Sequence, residues 1–277
     1  MRRILSYAKL TRPQNNLITA LSVLVGATIS ASVDSWDKVS LACLSAFLIS
    51  AGGNSINDFF DVKIDRINKP KRPLPRGKIS LSSALVFSVA LFLFGVALSF
   101  WIKPVNIGLA VFACGLLIIY SSTLKKRFLL GNLTVSLVSS LAFIYGGMVT
   151  DDFRLSLIPA ALAFLFHLGR EILKDLEDRE GDLSSGASTL PIVLGAKFSL
   201  LFCSFIFITL LVLTLLPYIL NIFSFAYLVL VLGVDLVLVY VMWSMWKNGS
   251  RENLHRLSSI LKADMLLGLA AIFLGRF

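Results

Sequence analysis

Three aspartates, Asp58, Asp61 and Asp65, follow one another at spacings of three and four residues within the segment Asn54–Lys78. On an α-helix those spacings stack side chains along one face, where like charges repel unless a cation holds them. Asp175, Asp178 and Asp182 repeat the same spacing. Carboxylate oxygens are hard ligands that suit Mg²⁺ or Mn²⁺, and Mg²⁺ typically takes one or two carboxylates together with waters and phosphate oxygens of a substrate. The two triplets are therefore expected to be two walls of one site that holds divalent metal bridged by a diphosphate. Asn54 lies one turn before Asp58 and faces the same way, so its amide is a candidate metal ligand or phosphate donor. Asn57 lies on the same helix. Lys69, Lys71, Arg72, Arg76 and Lys78 follow the first triplet, and Lys125-Lys126-Arg127 form a second basic run. These cations suit a departing diphosphate, whose oxygens an arginine can grip in bidentate fashion. A single acidic triplet is as readily a solvated helix end; two with matched spacing favour a metal site.

The elements that must position these groups are hydrophobic. The chain of 277 residues is 57% hydrophobic and only 15% charged, with a mean hydropathy of +0.84. That composition excludes an ordinary soluble domain and defines an all-α polytopic membrane protein. Nine apolar runs are each about long enough to cross a bilayer as a helix, roughly 17–25 residues. They fall at about 15–33, 39–60, 80–101, 105–123, 131–149, 155–177, 197–216, 221–246 and 257–276. Pro217 either separates or kinks the seventh and eighth runs. Cys43, Cys114 and Cys203 are scattered through apolar runs and read as small hydrophobes rather than a disulfide framework. The N-terminal stretch is basic, without a clear cleavage site, and is not expected to be a removable signal peptide.

Of the 26 lysines and arginines, all but Lys38, Lys103, Arg154 and Arg276 fall on one side of such a layout. The positive-inside rule places that side, with the N-terminus and both acidic triplets, in the cytoplasm; nine spans then put the C-terminus outside. The net charge of +10 reads as cytoplasmic loops facing anionic lipid or phosphorylated substrate rather than as nucleic-acid binding. A weak repeat relates residues 57–65 to 174–182. Each is followed by a Leu-Pro pair (Leu74-Pro75, Leu190-Pro191) and then a glycine, Gly77 or Gly195. Repeat-built membrane proteins often place their sites between the repeats. A single domain spanning 1–277 is expected, with pseudo-repeat halves carrying acidic motifs at about 54–65 and 171–182. The 21 phenylalanines would suit an apolar tunnel for an isoprenoid tail, and aromatic faces can stabilise an allylic cation.

Four stretches together carry a family resemblance: Asn54-Ser-Ile-Asn57-Asp58-Phe-Phe-Asp61-Val-Lys-Ile-Asp65, Lys71-Arg72-Pro-Leu-Pro-Arg76-Gly77, Tyr120-Ser-Ser-Thr-Leu-Lys125-Lys126, and Asp175-Leu-Glu-Asp178-Arg-Glu-Gly181-Asp182. In these motifs and in its nine-run layout the chain resembles the UbiA-type intramembrane prenyltransferases. The resemblance implies a ring of nine transmembrane helices around a central cavity, open to the cytoplasmic side and to lipid. It implies Mg²⁺-dependent transfer of a prenyl group from its diphosphate. Both triplets would bind Mg²⁺ and diphosphate, and Arg72 and Lys125 would contact diphosphate, with Asn57 and Lys126 beside them. Overall the chain is similar to the archaeal branch that adds a geranylgeranyl group to the hydroxyl of geranylgeranylglyceryl phosphate. A lipid-phosphate acceptor would give a use to surplus cations such as Arg12; Asn15, Asn16 and Tyr120 are further acceptor-side candidates.

Two other readings stand beside this one. Within the same chemistry the acceptor could be an aromatic or haem compound of quinone or haem synthesis. From a different class, paired acidic helices suit a transporter of cations or phosphometabolites, although such proteins place ionisable groups near the bilayer midplane rather than beside basic loops. His167 reads as structural, and Arg170 and Glu171, adjacent in sequence, as pairing with other helices; Glu171 also lies one turn before Asp175 and would extend its acidic face. Asp235 and Asp264 are ionisable groups inside apolar runs, and so functional suspects by default, but neither belongs to a recognised motif. Structural pairing or a minor cavity role is expected for them. Gly52-Gly53 is expected to permit close helix packing.

Overall fold

The computed structural model describes residues 2–30, 33, 35–184 and 186–276. These residues form helices and connecting turns, with no strand among them. In lipid a helix satisfies its backbone polar groups internally, which is why so apolar a chain takes this form. The helices are α1 (Arg2–Thr11), α2 (Pro13–Ser30), α3 (Trp36–Asn68), α4 (Leu81–Ser99), α5 (Pro104–Ser122), α6 (Leu130–Gly147), α7 (Leu157–Glu177), α8 (Arg179–Ser184), α9 (Leu190–Val193), α10 (Gly195–Ile219), α11 (Phe225–Lys247) and α12 (Arg251–Gly275).

Eight of the described helices, α3 to α7 and α10 to α12, are long and apolar enough to cross a membrane. The first expected run, about 15–33, corresponds to α2, which is not among those eight and whose first turn, Pro13-Gln14-Asn15-Asn16, is polar; residues 31 and 32, at the far end of that run, lie outside the described set. The other expected runs each appear as one helix, with two differences that matter. The second run was expected to end near residue 60, but α3 continues to Asn68 and carries the whole first triplet. Pro217 does not separate two helices: α10 runs through it to Ile219, and the Pro217 carbonyl accepts from Ile222 N at 2.9 Å. The amphipathic helix α1 was not anticipated. Large apolar side chains such as Leu93, Phe94, Phe205 and Leu236 stand exposed on the outer helix faces, as a lipid-facing surface requires.

The chain divides into two compact units. One comprises residues 1–125 and 141–156, the other 126–140 and 157–277. In the first unit, α3 packs against α1, α2, α4 and α5, around a core that includes Val23, Ala27, Val39, Ala42, Ile49, Ile56 and Phe92. A Cβ on Gly52 would meet the Phe92 ring at 2.8 Å, and one on Gly53 the Leu117 methyl at 2.9 Å, so this pair does allow α4 and α5 to approach. At the crossing of α2 and α6, a Cβ on Gly26 would fall on Phe143 O and one on Gly146 on Val23 O. Backbone cannot yield there as a flexible side chain would. Gly146→Val is therefore expected to destabilise the fold by about 1–3 kcal/mol, read as a lower Tm in detergent. A polar knot ties α6 to α3, α4 and α5: Tyr145 OH lies 2.8 Å from Ser45 Oγ and 2.9 Å from Ser99 Oγ, and Asn106 Nδ2 donates to Tyr145 O at 2.9 Å. Lys103, just ahead of α5, donates to Asp151 in the loop after α6 at 2.9 Å. Hydrogen bonds from Arg154 hold the exposed Asp152 carboxyl down to about 2.

In the second unit α7 packs against α10 and α12, and α11 lies between α10 and α12 in contact. Its core includes Ile172, Leu173, Phe207, Leu210, Leu238, Met245, Leu257 and Leu261. Gly77 and Gly195, the two glycines that close the repeated Leu-Pro segments, both take positive φ, +66° and +83°. That is a backbone state glycine enters without steric cost.

Candidate active site

Near its C-terminal end α3 presents the first triplet as helical periodicity requires. Asp58 and Asp65 are buried, 3% and 4% exposed, while Asp61 is half-buried. Two buried carboxylates on one helix face would repel strongly, and the fold meets that cost with cations. Arg72 Nη1 bridges them, donating to Asp58 Oδ1 at 3.0 Å and to Asp65 Oδ2 at 2.6 Å. The turn after α3 brings Arg72 back: Arg72 N donates to Lys69 O at 3.0 Å, and Arg76 N to Arg72 O at 3.2 Å. Arg12 Nη2 also pairs with Asp58 Oδ1. Arg12 forms the corner between α1 and α2 with φ +52°, a left-handed state that is uncommon for a non-glycine residue. Lys125, just past the end of α5, pairs through Nζ with Asp61 Oδ1 and lies 3.4 Å from Asn57 Oδ1. Asn57 Nδ2 in turn donates to Asp61 Oδ2 at 3.0 Å.

A second layer of hydrogen bonds holds the Arg12 corner. Asn54 Nδ2 donates to Asn16 Oδ1 at 2.9 Å and to Thr11 O at 3.1 Å. Asn16 Nδ2 donates to Thr11 O at 2.9 Å, and Ser50 Oγ donates to Asn16 Oδ1 at 3.0 Å. Asn16 is fully buried, so it, more than the half-buried Asn15, ties α2 to the motif helix. No short-range signal marks this pairing, because its partners lie 38 and 34 residues away in sequence. Tyr120 is half-buried near the end of α5.

The second unit holds the other triplet. It does not ride on one continuous helix: α7 ends at Glu177, Asp178 occupies the bend, and Asp182 lies in the short α8. Hydrogen bonds from Asp178 N to Lys174 O and from Asp182 N to Asp178 O, at 2.8 and 2.9 Å, still carry the i to i+4 pattern across the bend. Asp175 Oδ2 accepts from Asn132 Nδ2 at 2.8 Å, a partner on α6 that no sequence motif flagged. Glu171 accepts from Lys174 Nζ at 2.7 Å and from its neighbour Arg170 at 3.1 Å, so this pair meets within α7, and Arg170 also reaches another helix, at Ser258 O, 3.4 Å away. The His167 ring stands edge-on to Phe166, in keeping with a structural role. Lys126 is exposed, and its carbonyl accepts from Ser188 N at 2.8 Å.

Among the described residues no three Asp, Glu, His or Cys side chains gather closely enough to hold a metal ion; Asp58, Asp61 and Asp65 are drawn onto Arg12, Arg72 and Lys125 instead. The donor chemistry nevertheless fits Mg²⁺. All the candidate ligands are hard oxygens, and the cations now neutralising them are the type that would turn to the phosphate oxygens of a metal-bound diphosphate.

In an all-helical chain with eight helices long and apolar enough to cross a membrane, the end of one of them, α3, thus carries three aspartates clamped by two arginines and a lysine. A model of the UbiA prenyltransferase family matches residues 19–266. The chain is 39% identical over 270 residues, 97% of its own length and 98% of the other's, to a digeranylgeranylglyceryl phosphate synthase of Methanosphaera stadtmanae. It superposes with a TM-score of 0.81, at 35% identity and covering 100% of this chain and 99% of the other, on a structure reported to give mechanistic insight into digeranylgeranylglyceryl phosphate synthase in membranes. It also shares its fold, at TM-score 0.73 and 19% identity over 96% of this chain and 99% of the other, with a UbiA homologue of Archaeoglobus fulgidus bound to GPP and Mg²⁺. The chain belongs to the UbiA prenyltransferase family; it is a multi-pass membrane prenyltransferase.

Proposed function

We propose that the protein transfers a geranylgeranyl group from its diphosphate to the hydroxyl of geranylgeranylglyceryl phosphate, with Mg²⁺ as cofactor, as one domain spanning the chain. The observation that carries this reading is the clamp at the end of α3, Arg12 and Arg72 on Asp58 and Asp65 and Lys125 on Asp61, in a chain 39% identical to a synthase of that name. Mg²⁺ bound by carboxylates of the two motifs would neutralise the diphosphate and ease its departure.

This chain's own residues supply the rest. Asp58, Asp61, Asp65, Asp175, Asp178 and Asp182, with Asn54, are the ligand set. Arg72, Lys125, Lys126 and Asn57 take diphosphate oxygens as the allylic C–O bond breaks and negative charge gathers on the leaving group. The acceptor oxygen then bonds to the allylic carbon, and its proton passes to the departing diphosphate. Arg12, Asn15 and Tyr120 are placed on the acceptor side, where a lipid phosphate would need a cation. The strong excess of Lys and Arg on the motif-bearing ends supports a cytoplasmic face for the chemistry, with the N-terminus on the same side.

The deciding experiment supplies labelled geranylgeranyl diphosphate and a panel of acceptors to the purified full chain, with products identified by mass spectrometry. Product with geranylgeranylglyceryl phosphate and not with hydroxybenzoate, naphthoate or haem supports the assignment. Preferential prenylation of an aromatic acceptor overturns it, as does flux across proteoliposomes without any product. In the same assay Asp178→Ala is expected to lower transfer on the order of 10³-fold while circular dichroism remains unchanged.

A further inference from the structure

Asp235 and Asp264 sit inside the membrane-spanning part of α11 and α12, far from the acidic motifs in sequence. These two helices form an antiparallel hairpin whose register is fixed at several levels. Ser224 N donates to Gly275 O at 2.8 Å at one end. A Cβ on Gly233 would lie 3.3 Å from Leu267. Asn253 Nδ2 donates to Ser244 O and Oγ, both at 3.2 Å, near the turn. That register puts Asp235 and Asp264 at the same height, roughly 15–20 Å from the helix ends at 1.5 Å per residue, close enough for their charges to interact.

Both are buried, 8% and 5% exposed. Asp264 has no hydrogen-bond partner at either carboxyl oxygen among the described residues. Asp235 has only the Thr214 hydroxyl, at 3.1 and 3.2 Å. That hydroxyl has one proton, and Leu211 O, at 2.8 Å, competes for it. Tyr227 OH donates elsewhere, to Thr214 O at 2.7 Å.

Among the described residues no ion pair joins a cation to either carboxyl. On α7, Arg170 and Lys174 pair with Glu171, and His167 packs on Phe166. On α10, Lys197 lies in the first turn. On α11, Lys247 lies over Trp243 in the last turn. On α12, His255 pairs with Glu177 and Arg256 follows it near the helix start; Lys262 is turned about 200° around the helix from Asp264. Two ionised carboxylates level with each other in hydrocarbon, with one hydroxyl as donor, would be prohibitively costly. A hard cation such as Ca²⁺ or Mg²⁺ takes roughly six or more oxygens, and the two carboxyls and one hydroxyl supply five. A proton needs no further coordination sphere.

We propose that Asp235 and Asp264 form a proton-binding site in the middle of the α11–α12 hairpin, one carboxyl holding a proton and donating it to the other. The hydrogen bond so made ties the two helices at mid-membrane and gives Asp264 the partner it otherwise lacks. Neither residue belongs to the diphosphate clamp, so the inference stands whatever acceptor the enzyme uses.

The test is infrared spectroscopy of the full chain in lipid nanodiscs near neutral pH, with ¹³C-labelled aspartate marking the carboxylic-acid C=O stretch. The expected result is a protonated-aspartate band that loses about one carboxyl's intensity in Asp264→Asn and does not respond to added Na⁺. If Asp264→Asn does not fold, Asp264→Glu serves: the band from position 264 should then stop shifting with the aspartate label. A band unchanged in both variants, or no band at all, overturns the proposal. A band abolished by Na⁺ also overturns it, in favour of a cation site.

Discussion

Asp58→Asn is expected to lower kcat/KM for prenyl transfer on the order of 10³-fold, with the helical content and Tm of the purified protein little changed. The substitution keeps the size of the side chain and removes its charge. Asp58 is the carboxylate on which two arginines from different segments converge, Arg12 from the α1–α2 corner and Arg72 from the turn after α3. Losing the charge therefore removes a metal ligand and the anchor that holds Arg72 for the diphosphate and Arg12 for the acceptor. The two contributions are separable. A lost ligand raises the Mg²⁺ concentration needed for half-maximal activity, so excess Mg²⁺ restores part of the rate. A lost anchor leaves the Mg²⁺ requirement unchanged and raises KM for the prenyl diphosphate. Full turnover in Asp58→Asn would remove this residue from the proposed machinery.

Arg72→Lys is expected to cost about 10²-fold in kcat/KM, measured in the same labelled-substrate assay, although charge is conserved. Arg72 uses one nitrogen, Nη1, for both Asp58 and Asp65, which leaves the remainder of its planar fork to donate to an anion. A lysine presents a single point charge on a flexible stem. If it keeps the two carboxylates together it has no second arm for the diphosphate; if it turns to the diphosphate, two buried carboxylates are left facing each other. Removing the side chain altogether, as in Arg72→Ala, would confound activity with stability, because a buried charge stripped of its partner is strongly destabilising. The lysine variant is the cleaner measurement, and wild-type rates from it would show that the fork geometry is irrelevant.

Much of this molecule is written in local pattern. Apolar runs of bilayer length can satisfy their backbones in lipid only as helices, so the class of fold follows from composition alone. The spacing of Asp58, Asp61 and Asp65 places them on one face of whatever helix contains them, because 3.6 residues per turn is a property of the backbone and not of its surroundings. The density of cations after that triplet and after α5 is equally plain in the residues. Even so, α3 runs eight residues beyond the expected boundary, since hydropathy marks where lipid ends and not where hydrogen bonding ends.

What the sequence could not reveal is which charge answers which. Arg12 reaches Asp58 across 46 residues and Lys125 reaches Asp61 across 64, while Lys69, Lys71, Arg76 and Lys78 of the basic loop stood nearer in sequence to the first triplet. Asn132 on Asp175 and Asn16 on Asn54 are likewise products of packing, as is the bend that sets Asp178 between two helices. The register that brings Asp235 level with Asp264 comes from how one hairpin closes. Periodicity is local and can be read residue by residue. Ion pairing and burial depend on which helix faces meet, and that choice is made by the summed packing of side chains distant along the chain.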